Sequence, residues 1–103
     1  MIKVEVLFFD GCPNHEPTVR LAQEVMADLG LTAEVREIVV ENSEDAQTSR
    51  FLGSPSVRVN GLDIEPGAED RFDFSLNCRM YGASGVPPRE WMVAALKEDA
   101  QLA

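Results

Sequence analysis

Long apolar runs, basic residues and thiols are all scarce in this chain, and each scarcity narrows what it can be. No stretch approaches the roughly 18 consecutive apolar residues of a membrane-spanning helix, so no such helix is expected. Lysine and arginine total 9 against 18 aspartates and glutamates, and the formal charge of −9 repels a phosphate backbone and an anionic bilayer alike. Neither nucleic acid nor a membrane surface is therefore expected as a partner. The first residues run from Lys3 into an apolar stretch, but Glu5 and Asp10 interrupt it and no small-residue cleavage site follows, so it does not read as a signal peptide. With only two cysteines, the expected compartment is the reducing cytoplasm, where a cysteine is more often catalytic, metal-binding or buried than part of a structural disulfide.

What is present suffices for one domain over residues 1–103, since 45% hydrophobic content supplies a single core. Residues 2–9 alternate from Ile2 to Val6 and end in the wholly apolar Leu7-Phe8-Phe9, which predicts a strand buried on both faces at its end. Asp10-Gly11 is a turn signal, Cys12 follows it, and Pro13 suits the first turn of a helix. Pro17 predicts a kink, or a regular helix postponed to about Glu16. Leu21, Ala22, Val25, Met26 and Leu29 form its apolar stripe, with Gly30 as the cap. Residues 32–40 predict an edge strand parallel to the first. Asn42 or Ser43 caps a short helix expected to reach Leu52 before Gly53 ends it.

Pro55 opens a third strand, and Asn60-Gly61 predicts a hairpin into a fourth, antiparallel strand near Leu62. Residues 66–76 are polar with apolar insets and leave loop and extended chain both open. Asn77 to Tyr81 can resume strand character, residues 82–88 connect, and Pro88 introduces a last helix with Trp91, Met92, Ala95 and Leu96 inward. Trp91 and the remaining phenylalanines read as core rather than as a cofactor box. The order βαβαββα predicts an α/β fold with a mixed four-stranded sheet flanked by helices.

Cys12-Pro13 at the end of the first strand, Gly53-Ser54-Pro55-Ser56-Val57 at the start of the third and the Val59-Asn60-Gly61 hairpin resemble the thioredoxin-like superfamily. The likeness covers most of residues 2–65 and the last helix, and 66–86 depart from it as an insertion. The whole chain is also similar to small bacterial thioredoxin-like proteins sometimes labelled alkylmercury-lyase-like. The resemblance implies that Pro55 is a cis-proline facing the cysteine across the site. Ser54 would then offer backbone groups to an extended partner, as in strand addition.

At a helix start, Cys12 would meet unpaired N–H groups and the positive end of the helix dipole, which favour the thiolate. A structural cysteine at the end of a core strand is the alternative. Where the redox signature Cys-x-x-Cys would place a resolving thiol, this chain has His15, the only histidine, about one helical turn from Cys12. A protonated imidazole there would stabilise a thiolate and a neutral one would accept its proton, although an exposed polar residue in a first turn needs no function.

Cys78 is either a resolving thiol brought back by the insertion or a residue packed in the sheet beneath Tyr81. Asp10 is either a proton donor and acceptor near the thiol or a turn residue. Two cysteines and an aspartate are the residue types of organomercurial cleavage, in which thiolates hold the soft metal and an acid protonates the leaving carbon. Cys12, His15 and Cys78 fall one short of the four ligands of a structural zinc site.

The leading expectation is a cytosolic thioredoxin-like protein without a cofactor that exchanges disulfides with a protein or small-molecule thiol partner. Cys12, His15, Cys78 and Asp10 would act in the chemistry, and Pro13, Ser54 and Pro55 would shape the site. A thiophilic-metal or organomercurial-lyase-like protein, and an acidic interaction module with an inert cysteine, are the alternatives.

Overall fold

The computed structural model describes residues 2–82 and 84–99; Met1, and Ala83 in the expected connector, lie outside them. The sheet has four strands in the order β2-β1-β3-β4, built from β1 (Val4–Phe8), β2 (Val35–Val39), β3 (Ser56–Val59) and β4 (Leu62–Asp63). β1 pairs parallel to β2 and antiparallel to β3, and β3 pairs antiparallel to β4, giving a mixed sheet with β2 at one edge. Helices α1 (His15–Asp28), α2 (Ser43–Thr48) and α3 (Arg89–Asp99) complete the α/β fold, with a 3₁₀ turn at Ala68–Asp70.

Alternation along β1 sends its side chains to two different cores. Val4 and Val6 join Ala22, Val25 and Met26 of α1, Val57 and Val59 of β3, and Met92 and Leu96 of α3. Leu7 points the other way, into a smaller cluster with Val40, Ala46 and Phe51. Phe8 and Phe9 are only half-buried, so the end of β1 is less enclosed than its composition predicts. Of the other phenylalanines, Phe51 is fully buried as expected of core, whereas Phe72 is 74% exposed on the insertion, contrary to expectation.

Three boundaries move for identifiable reasons. α1 begins at His15, which places Pro17 third in the helix, where its missing N–H leaves no intrahelical bond unmade. α2 stops at Thr48 because Arg50 turns left-handed at φ 58° and the Phe51 N–H donates back to the Ala46 carbonyl, folding the Phe51 ring into the core. Asn42 supplies the cap, its Oδ1 accepting the Asp45 N–H at 2.9 Å. Residues 77–81 form no strand; a single isolated parallel bridge joins Cys78 to Ser54.

No helix among the described residues is long and apolar enough to cross a membrane.

Candidate functional site

Cys12 sits in the turn between β1 and α1, two residues ahead of the N-cap Asn14. Its N–H donates to the Phe9 carbonyl at 3.2 Å, and its carbonyl accepts the His15 N–H at 3.3 Å. Asp10, Gly11 and Pro13 are exposed around it, yet Cys12 itself is only 9% exposed, so its side chain turns inward from a surface turn. The helix start offers it little. The His15 N–H is spent on the Cys12 carbonyl and Pro17 has none, which leaves Glu16 as the remaining donor of the first three helical residues.

The His15 imidazole packs against side chains of β1 and β2. Its ring stacks on Phe8 with centroids 3.5 Å apart and planes 8° from parallel. Nε2 lies 2.6 Å from Glu37 Oε1 on β2, but the approach is not aligned for a hydrogen bond and this buried nitrogen makes none. The short separation is therefore a contact of charges whenever the ring is protonated. Asp10 stands in the same exposed turn and borders a shallow groove with Val39, Glu41 and Leu76 that does not include Cys12.

The Ser54–Pro55 peptide bond is cis. Ser54 is fully buried, and its Oγ accepts the Phe9 N–H at 3.3 Å, tying this segment to the end of β1 just before the Cys12 turn. Its backbone is not on offer to a partner strand, contrary to expectation. The Ser54 N–H donates to the Asn77 carbonyl and the Ser54 carbonyl accepts the Arg79 N–H, both at 2.8 Å. The insertion thus returns to the site and fills the pairing position itself.

Cys78 is a free, exposed thiol at that bridge, which overturns the reading that buries it beneath Tyr81. It borders a groove of about 590 Å³ shared with Arg71, Asp73, Met80 and Trp91, and Cys12 does not line that groove. Both thiols are free, Cys12 buried and Cys78 exposed. Among the described residues, no group of three or more His, Cys, Asp or Glu side chains is placed to hold a metal ion. A larger groove of about 690 Å³ runs between the β3–β4 hairpin and α3, away from Cys12.

Sequence reasoning passed over the residues that hold the insertion down. Arg79 is buried, and its guanidinium donates to Asp63 at 2.7 and 3.0 Å, to Glu65 at 2.9 Å and to Ser56 Oγ at 3.0 Å. Arg71 donates to both carboxylate oxygens of Glu65, sharing Oε1 with Arg79, and also to Asp73. Burial works against ionisation of Glu65, but the hydrogen bonds from Arg79 and Arg71 outweigh it and hold this carboxyl below its ordinary range.

Tyr81 stacks beneath the Arg79 cation, 4.6 Å from Cζ to ring centroid, and its hydroxyl donates to the Pro55 carbonyl at 2.7 Å. Burial raises the Tyr81 pKa and keeps the phenol a neutral donor. The available signal was that Arg71 and Arg79 are the only cations between Arg58 and Arg89, following the acidic Asp63-Ile64-Glu65. No family model, no curated protein and no solved structure matches this chain.

Gly85 completes the enclosure. A Cβ there would collide with the Asn14 side chain, so the returning chain lies directly against the residue that starts α1. The Gly85 N–H donates to the Met80 carbonyl at 2.9 Å, closing the loop that carries Tyr81.

Proposed function

We propose that this is a thioredoxin-like protein of the cytoplasm in which Cys12 performs thiol–disulfide exchange. The observation that carries the reading is the placement of Cys12 between β1 and α1 with the Ser54–Pro55 segment bonded to the same strand end through Phe9 and Ser54. The order of elements and the sheet order β2-β1-β3-β4 support the fold.

In the forward step the Cys12 thiolate attacks one sulfur of a partner disulfide. A mixed disulfide forms, and the partner's other sulfur leaves as a thiolate. A second thiol, Cys78 or one from solution, then attacks the mixed disulfide; a disulfide to that thiol replaces it, and the partner's remaining sulfur leaves reduced.

The test is reaction with a small aromatic disulfide, followed by release of its thiolate and by intact mass. The unsubstituted chain and Cys78→Ser should both form the adduct on Cys12, and Cys12→Ser should lose the adduct at that position. If Cys12 in Cys78→Ser reacts no faster than an unactivated thiol of pKa about 8.5, the exchange reading fails.

A further inference from the structure

We infer that the groove at the ends of β1 and β2 selects the partner of Cys12: a polypeptide disulfide that carries a lysine or arginine next to an apolar side chain. The inference rests on the Cys12 reading above, because it names the class of disulfide that this thiol meets.

The topology puts a crevice there. β1 and β2 are the parallel pair, and their carboxyl ends lie side by side, with Phe8 opposite Val39. The chain leaves the two ends towards opposite faces of the sheet. From β1 it enters α1, whose Ala22, Val25 and Met26 pack with Val4 and Val6; from β2 it enters α2, whose Ala46 packs with Leu7. Connections that diverge in this way from neighbouring parallel strands leave an opening between them, and open α/β sheets take their ligands in it. Here the opening is the groove lined by Phe9, Asp10, Val39, Val40, Glu41 and Leu76.

The lining defines the chemistry of the occupant. Phe9, Val40 and Leu76 supply an apolar floor, and Val39 stands 43% exposed beside it, so an apolar side chain has a surface to seat on. The charged residues of the lining are Asp10 and Glu41, both exposed, and no lysine or arginine joins them. Among the described residues neither carboxylate enters an ion pair. Two such carboxylates beside an apolar floor attract a cation with an apolar neighbour and repel an anionic disulfide.

The groove also adjoins the turn that carries the thiol. Asp10 precedes Cys12 by two residues, which keeps their Cα atoms within about 7 Å. The Phe9 carbonyl, from the groove wall, accepts the Cys12 N–H at 3.2 Å.

Two tripeptides, Lys-Leu-Cys and Glu-Leu-Cys with blocked ends, each as its symmetric disulfide, test this in a Cys78→Ser background at low ionic strength. Adduct formation on Cys12, timed by intact mass, should favour the lysine probe by about fivefold, the size of two exposed ion pairs. Asp10→Asn with Glu41→Gln should lower that ratio towards one. Glu24→Gln with Glu98→Gln removes the same charge from α1 and α3 and should preserve the ratio. Equal rates for the two probes, or an equal fall in both double variants, overturns the groove and leaves the exchange reading standing.

Binding without exchange separates the two readings. Lys-Leu-Ser, which cannot form a disulfide, should shift the amide resonances of Val39 to Glu41 and of Leu76 more than Glu-Leu-Ser does. Absence of that difference overturns the groove. If the shifts occur but neither disulfide forms an adduct on Cys12, the groove stands as a docking site and the exchange reading falls.

Discussion

Replacing Arg79 by methionine should be among the most damaging single changes available in this chain. The guanidinium is 4% exposed and makes four hydrogen bonds, to Asp63, Glu65 and Ser56. Removing one partner of a buried ion pair costs about 3–5 kcal/mol, chiefly because the partner left behind is buried and uncompensated. Glu65 keeps Arg71 at 3.0 Å, but Asp63 loses its ion pair and retains the Glu65 N–H, so the lower half of that range applies. A loss of about 3 kcal/mol corresponds to about 12 °C in melting temperature for a domain of this size.

Urea denaturation at pH 7 of the unsubstituted chain and of Arg79→Met measures the loss directly. The double substitution Asp63→Leu with Arg79→Met should recover much of it, since the stranded charge is then gone. A cost below about 1 kcal/mol, or a double variant no better than the single one, refutes the reasoning.

The pH dependence carries a second signature. Because the folded state holds Glu65 below its ordinary value of 4.5, its contribution is fully present above that pH and is lost as pH falls through the folded value. Arg79→Met should flatten this acid-side loss.

Two further outcomes follow from the same segment. Tyr81 is the only tyrosine, so its phenolate absorbance can be titrated alone; burial raises its pKa, so ionisation should begin above the ordinary 10.0. Stability from the neutral phenol is present below that ordinary value and is lost as pH rises towards the folded value, so ionisation should coincide with loss of fold; a reversible midpoint near 10 in the intact fold overturns the buried placement. Gly53 takes φ 119°, and a Cβ there would lie 3.0 Å from Arg79 Cβ and 3.1 Å from the Asn77 carbonyl. Gly53→Ala should therefore cost about 1–3 kcal/mol in a denaturant melt, and a neutral result would contradict the close approach of residues 77–79 to Gly53.

The strands and helices of the sheet were legible because they are written in local pattern. Val4 and Val6 alternate, Ala22, Val25 and Met26 repeat at helical spacing, and Asn60-Gly61 marks the hairpin. The short α2 was misjudged at its end, because Phe51 leaves the helix to fill a core that no local pattern announces. Cys12 was recognisable as a thiol delivered by a strand, a turn and a helix start. His15 was recognisable only as a residue type, since its stacking on Phe8 and approach to Glu37 depend on how α1 crosses β1 and β2.

By itself the sequence determined the βαβαββα order of an α/β fold and put a cysteine at the β1–α1 turn, since periodicity, capping and turn chemistry are short-range properties. Only the tertiary structure decided where residues 66–86 go. Polar chain with scattered apolar residues carries no period, and its path is set by long-range partners: Asp63 and Glu65 for Arg79, Pro55 for Tyr81 and Ser54 for the backbone of Asn77 and Arg79. Those pairings turn an open pairing edge into a covered one, because backbone groups buried beside Ser54 must find hydrogen-bond partners and the chain's own insertion supplies them.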